Sequence, residues 1–418
     1  MMKHINPSKI NGAIVAPASK SMTLRAIAAA TLAKGKSQIK TPSYCKDALG
    51  ALRCAHSLGA KISSSKNHNL FISGSGKIRS TTLNCGESGL CVRMFSPICA
   101  TYGTRFTLVG EGSLKARPIS MIEKPLVALG ASCKTKKGYL PATIKGPIKG
   151  GKIVVDGSES SQFLTGLLMA LPLCRENSSV HVRNLASKPY IQMTLSLLSD
   201  FGVKIRASKD LSHFEIPGKQ KYRHISYSVE GDWSGAAFPL VAGAVCGRVT
   251  VSGLSKKSFQ ADAAIIGALK KCGAKVTQKS DSTTVQKARL RAFKFNAHDC
   301  PDLFPPLAVL ACNCSGTSKI QGVKRLSGKE SDRASALKIE LGKLGAKIRI
   351  SGDVMEITGA PIIGGTIDSR NDHRIAMAGA IAALTSKKGV RIINPECVSK
   401  SYPEFFHDLR KLQVHGKS

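Results

Sequence analysis

The chain has 418 residues, and its 62 Lys and Arg against 26 Asp and Glu give a formal charge of +36. That length suits two domains with a core each, and neither a membrane-length apolar run nor a signal-like leader appears, so a cytoplasmic protein with no membrane role is expected. The thirteen cysteines show no C-x-x-C pair or disulfide spacing, which favours reduced thiols packed as small hydrophobes and excludes a recognisable metal site.

Taken in order, the chain is a repeat. Its first stretch, Pro17–Ala33, opens with Ser19, Lys20, Ser21 and Arg25 and continues in small apolar residues, the pattern of a helix packed inside a domain. A helix start offers unpaired N–H groups and partial positive charge, and Ser, Lys and Arg placed there make an anion site. Further helices of this type are expected to begin near Gly86, Ser158, Asp232, Pro301 and Asn371. Between them lie amphipathic segments: Lys46–Leu58, Ile119–Leu129, Pro189–Phe201, Ala261–Cys272 and Ser331–Leu344. Each ends at a glycine (Gly59, Gly130, Gly202, Gly273, Gly345), in steps of 71 or 72 residues, and each glycine leads into an alternating strand. One more step reaches Gly416, past a helix over Pro403–Val414, where the closing strands of the sixth repeat are missing.

The segment Lys3–Ala16 is the candidate to supply those strands. The N-terminus then joins the last three repeats. The expected fold class is α/β, with two lobes of three pseudo-repeats, about 72 residues each. Residues 19–230 form an inserted lobe, residues 1–18 and 231–418 form the outer one, and the active site is expected in the interlobe cleft.

The residues at the helix starts suggest the chemistry. Ser and Asp there also serve as plain N-caps. The cations are harder to explain that way. Lys20, Arg25, Arg93, Arg117, Lys329, Arg333, Arg374 and Lys400 all fall near such starts, where a cation has the wrong sign for the helix dipole. Their recurrence points to an anionic partner, since Arg forks suit carboxylate and phosphate and Lys supplies compact charge. Arg93 also reads as a brace of its own helix. Asp302 and Glu330 are the acid–base candidates, with Glu87 and His373 behind them, although Asp302 also reads as a cap and Glu330 as a first-turn acid. No Walker loop, Rossmann fingerprint or Ser–His–Asp arrangement appears. The residues alone therefore describe a two-lobed enzyme, without metal or nucleotide cofactor, acting on polyanionic small molecules. A basic nucleic-acid-binding protein is the alternative, but the lysines are scattered and no zinc finger, RNP motif or basic zipper accompanies them.

Ser19–Lys20–Ser21, Val155–Leu164, Ser187–Lys188–Pro189–Tyr190, Lys329–Arg333 and Asn371–Arg374, in this order, resemble the 5-enolpyruvylshikimate-3-phosphate synthase family over Pro17–Glu404. The resemblance implies two inverted α/β lobes and transfer of the enolpyruvyl group of phosphoenolpyruvate to the 5-hydroxyl of shikimate 3-phosphate, releasing phosphate; a monomer with no cofactor and no specific nucleic acid is expected. It assigns Lys20, Ser21, Arg25, Ser160, Ser161, Gln162, Ser187, Tyr190, Asp302 and Lys329 to shikimate 3-phosphate. It assigns Gly89, Arg117, Arg333, Arg374 and Lys400 to phosphoenolpyruvate, with Lys20 and Gln162 shared. Asp302 is implied as the base at the 5-hydroxyl, Glu330 as the proton donor to the methylene, and Lys20 as a catalytic cation.

The pattern departs from the family at three places. Glu87 and Leu90 stand where Asn and Thr are common, and Arg325 where some members carry Asn. The related UDP-N-acetylglucosamine enolpyruvyl transferases are the runner-up, but they place a Cys in the loop that here reads Glu111–Pro118 without one. Cys91 lies instead inside the preceding helix. The RNA 3′-phosphate cyclases share related repeats, and their His nucleophile pattern is not evident here.

Overall fold

Every second helix of the chain is buried along most or all of its length, and the helices between show one buried face. A computed structural model describes residues 1–74, 76–158 and 161–414, so Ser160 and Gly416 of the sequence reading lie outside the described residues. Two compact units result: a continuous one, Ala18–Val229, and a split one, Met1–Pro17 with Glu230–Ser418. The continuous unit carries α1 (Lys20–Leu32), α2 (Lys46–Ser57), α3 (Gly89–Cys99), α4 (Glu123–Ala128), α5 (Ser161–Ala170) and α6 (Lys188–Asp200). The split unit carries α7 (Trp233–Cys246), α8 (Ile265–Lys271), α9 (Phe304–Cys312), α10 (Arg333–Lys343), α11 (His373–Leu384) and α12 (Phe405–Leu412). All residues of α3, α7, α9 and α11 are buried, which their mostly small and apolar content favours. Close helix approach depends on the small residues: a Cβ at Gly166 of α5 would sit 2.7 Å from the Met94 carbonyl oxygen of α3.

Each repeat adds a small sheet of one plan. In the continuous unit Thr82–Asn84 runs parallel to Arg105–Val109, which pairs antiparallel with Tyr139–Lys145 and through it with Ser132–Lys136. Gly151–Asp156, Ser178–Arg183, His213–Ile216 and Arg206–Ala207 repeat the order, as do Lys294–Asn296, Thr317–Gln321, Val354–Thr358 and Lys347–Ser351 in the split unit. All five repeat glycines end their helices with φ between +81° and +101°, the left-handed cap that frees the chain to turn into the next strand.

The N-terminal segment behaves differently from the expectation. Only Met2–Ile5 closes the last repeat, pairing antiparallel with Val390–Ile393. Pro7, with no N–H to donate, interrupts the strand, and Ile10–Val15 pairs parallel with Gly247–Ser252 of the fourth repeat. A trade of strands follows. Ile10–Val15 precedes α1 in sequence yet belongs to the split unit, while Ser226–Ser228 precedes α7 yet pairs with Lys36–Lys40 of the continuous unit. The chain changes unit after each of these two strands.

Glu340 ties α10 to the sheet beside it. Its fully buried carboxylate accepts from Lys343 Nζ at 2.7 Å, the Asp368 N–H at 3.0 Å and Arg370 Nε at 3.0 Å. Burial opposes its charge, but Lys343, the Asp368 N–H and Arg370 outweigh that cost and hold it below the usual glutamate range. Glu340→Gln is expected to lower unfolding stability by about 2–3 kcal/mol at neutral pH. A carboxyl depressed in the folded state stabilises above its unfolded value, about 4.3, and loses that contribution as pH falls through the lower folded one. Denaturant melts of wild type and variant should therefore converge in acid.

Candidate active site

In the continuous unit, two buried helix starts carry the cations expected there. Ser19 caps α1 by accepting the Met22 N–H, and Lys20 at its first position pairs with Asp47 of α2 at 3.1 Å. One turn on, Arg25 is 1% exposed, and its guanidinium donates to Thr194 Oγ1 (2.9 Å), Thr165 Oγ1 (3.3 Å) and the Ser21 carbonyl (2.9 Å). None of these is a carboxylate. Burial lowers its pKa to about 10, with Tyr190 and Tyr227 pulling the other way, so an anion bound here would restore its preference for charge.

The second cluster gathers around Gly89. Ser88 caps α3, and a Cβ on Gly89 would sit 2.8 Å from the Nη1 atoms of both Arg93 and Arg117. Glycine here lets two guanidinium groups approach one backbone, an arrangement favoured when an anion joins them. Arg93 is more than a brace of α3, because it donates to Gln162 Oε1 of α5 (3.1 Å) and to the Pro118 carbonyl (2.9 Å). Ser161 and Gln162 open α5, and Ser187, with φ of +58°, precedes α6, where its carbonyl accepts the Tyr190 N–H. Glu87 turns toward the neighbouring loop, its Cδ 2.6 Å from where a Cβ on Gly112 would lie, and Leu90 is buried.

The split unit holds a denser ion network. Asp302 lies in the turn Pro301–Leu303 before α9 and receives Arg333 Nη1 at 2.8 Å, Arg374 Nη2 at 3.2 Å and Lys329 Nζ at 3.6 Å. Arg333, the first residue of α10, also donates to Glu330 (2.7 Å) and to Asp372 through Nε (2.9 Å) and Nη2 (3.3 Å). Lys400 reaches Glu330 at 3.8 Å. Asp372 additionally caps α11 through the Arg374 N–H at 2.9 Å. Burial works against the Asp302 charge, yet Arg374, Lys329 and Arg333 outweigh it and hold the carboxyl well below the usual aspartate range. Asp302 and Glu330 are thus anchored by one buried guanidinium, and both exceed the capping roles their positions allow. Arg325 is partly buried in the nearby turn Val323–Leu326, where burial lowers its pKa and Asp299 and Asp302 oppose the drop.

Asp372, Asp47, Thr165, Thr194, Ser234 and Asp262 join these clusters although the helix-start pattern did not single them out as binding groups. Asp372 is the N-cap of α11 and Asp47 a first-turn acid of α2, and the others face their partners across long sequence separations. Among the described residues no group of three or more His, Cys, Asp or Glu could hold a metal ion, and no helix is long and apolar enough to cross a membrane.

These α/β repeats with cationic helix starts have the enolpyruvyl transferase fold. Similarity at a TM-score of 0.83 and 25% identity links the chain to the EPSP synthase of Acinetobacter baumannii, over 99% of this chain and 98% of that one. The enolpyruvyl transferase NikO of Streptomyces tendae shares the fold at a TM-score of 0.78, with 16% identity over 98% of this chain and 97% of that one. The sequence model described as EPSP synthase (3-phosphoshikimate 1-carboxyvinyltransferase) matches residues 5–409. Proteins named 3-phosphoshikimate 1-carboxyvinyltransferase from Clostridium kluyveri and Methanocorpusculum labreanum are 38% and 35% identical; each match covers 98% of this chain and, respectively, 96% and 97% of the relative. The chain belongs to the EPSP synthase family.

Proposed function

We infer that this chain transfers the enolpyruvyl group of phosphoenolpyruvate to the 5-hydroxyl of shikimate 3-phosphate, yielding 5-enolpyruvylshikimate 3-phosphate and inorganic phosphate. Beyond family membership, the observation that carries the reading is the pair of carboxylates, Asp302 and Glu330, held at 2.8 and 2.7 Å by the buried guanidinium of Arg333. Addition–elimination on an enol phosphate needs both an acid and a base. Glu330 gives a proton to the phosphoenolpyruvate methylene, C2 becomes electron-poor, and the 5-hydroxyl attacks it while Asp302 takes the hydroxyl proton. The tetrahedral adduct then loses a methyl proton and its C2–O bond to phosphate, which restores the double bond. Placed carboxyls contribute about 10²–10⁴-fold in such steps.

Substrate charge prepares both groups. Glu330 is paired with Arg333 and Lys400 in the structure, and an anion that competes for those two cations frees its carboxyl to take part in proton transfer. Asp302, made a weak base by its three cations, regains basicity when phosphate and carboxylate groups share Arg374 and Lys329. In the same reading Lys20, Ser21, Arg25, Ser161, Gln162, Ser187, Tyr190 and Lys329 hold shikimate 3-phosphate. Gly89, Arg117, Arg333, Arg374 and Lys400 hold phosphoenolpyruvate, with Lys20 and Gln162 shared. All these groups come from one chain, so a monomer suffices, and free cysteines throughout the described residues fit a reducing cytoplasm. Phosphate release should require shikimate 3-phosphate and phosphoenolpyruvate together; release with either alone, or no release with both, would refute the assignment.

A further inference from the structure

Behind Arg374 lies a carboxylate that the proposed reaction does not use. Asp262 sits in the turn Ala261–Ala264 ahead of α8 and is 1% exposed. Burial and the charge of Asp302 push its carboxyl up to about 6, while Arg374 and a hydrogen bond from the side chain of Ser234, the second residue of α7, pull it back toward the ionised form. Ser234 Oγ in turn accepts Arg374 Nη2 at 2.6 Å, and that same nitrogen reaches Asp302 at 3.2 Å. Arg374 Nη1 donates to the Asp302 carbonyl at 3.3 Å. The Ser234 backbone is already fixed, because Asp232 accepts its N–H at 2.8 Å while capping α7. Only the direction of its hydroxyl is left to settle. A hydroxyl has a single proton, so donating it to Asp262 turns the oxygen lone pairs toward Arg374. Without that acceptor the proton is free to rotate toward the guanidinium and oppose it. The charged or titratable groups facing Asp262 include Asp302, Arg374, Asp232 and the Cys300 thiol.

We propose that Asp262 is a positioning residue for the transfer reaction: it sets the polarity of the Ser234 hydroxyl and thereby fixes the Arg374 guanidinium that receives phosphoenolpyruvate. The inference rests on the reading of Arg374 given above. Asp262 touches no reacting atom, so its loss acts on one substrate.

The test compares steady-state kinetics of the full chain as wild type, Asp262→Ala, Asp262→Asn, Ser234→Ala and Asp262→Asn/Ser234→Ala, with calorimetric binding of shikimate 3-phosphate alone. Asp262→Ala should raise the KM for phosphoenolpyruvate about tenfold or more, lower kcat less, and leave the Kd of shikimate 3-phosphate within twofold. The Asn variant keeps an oxygen acceptor for Ser234 and should recover most of the lost affinity. Ser234→Ala should match Asp262→Ala, and adding Asp262→Asn to it should change nothing further; this pair decides the matter if Asp262→Ala does not fold. An unchanged phosphoenolpyruvate KM in Asp262→Ala would overturn the inference. So would an Asn variant as impaired as Ala, or weakening of both substrates in proportion, which marks general loosening. A wild-type chain without two-substrate phosphate release would sink the reaction assignment as well, whereas an active wild type with indifferent variants would sink this inference alone.

Discussion

Asp302→Asn is expected to reduce turnover by about a thousandfold or more, within the range lost with a placed acid–base group, while shikimate 3-phosphate binding changes only a few-fold. The amide has nearly the carboxylate's shape, so the turn Pro301–Leu303 and the start of α9 should persist. What is lost is the only group on that turn able to take the hydroxyl proton. The substitution also puts an N–H₂ where two guanidinium groups and Lys329 now converge on oxygen, so the side chain can satisfy Arg333 or Arg374 but not both. Some loss of phosphoenolpyruvate affinity should therefore accompany the loss of rate. Rapid-quench measurement of a single turnover separates the two effects. Asp302 is ionised across the working range in the free enzyme because its cations hold it so low; its protonation should thus contribute no acid limb to kcat/KM between about pH 5 and 8. A variant turning over at the wild-type rate would remove Asp302 from the mechanism.

The periodic part of this architecture was legible because it is written in local physics. A glycine every 71 or 72 residues marks a helix end that needs positive φ, and Gly59, Gly130, Gly202, Gly273 and Gly345 all adopt it. The buried helices were equally plain, since runs such as those in α1 and α11 carry too little polar surface to lie on the outside. The cations at their starts stood out by having the wrong sign for the dipole. Partners were another matter. Arg333 meets Asp302 and Asp372 across 31 and 39 positions, and Arg25 meets Thr165 and Thr194 across 140 and 169. No window of sequence contains both members of such a pair. Asp372, seen alone, is an ordinary cap; only the fold shows that its carboxylate also holds the guanidinium that anchors both acid–base candidates. The trade of strands between repeats was hidden for a related reason: Ile10–Val15 and Ser226–Ser228 look alike as strands, and nothing local says which neighbour each will pair with.

Arg333→Ala should be the most damaging single change to the split unit. The guanidinium is almost without exposed surface and gathers three carboxylates, those of Asp302, Glu330 and Asp372. Removing one partner of a buried ion pair typically costs about 3–5 kcal/mol, because charges are left without compensation, and here three carboxylates lose a shared cation at once. Asp302 keeps Arg374 and Lys329, and Glu330 keeps Lys400, so collapse of the whole unit is not required. Arg333→Lys should recover only part of the loss, since one ammonium cannot reproduce three donors fixed in a plane. The pH dependence gives the sharper check. In the wild type the pairing of Asp302 stabilises above the unfolded aspartate value, about 3.9, and fades as pH falls through the lower folded one. In the variant the stranded carboxylates repel one another until protons neutralise them, so acid relieves it. The stability gap should therefore be largest near neutrality and shrink steadily toward pH 4, by urea melts followed with Trp233 fluorescence. A gap that stayed constant or widened in acid would mean that shape, and not charge, is what Arg333 supplies.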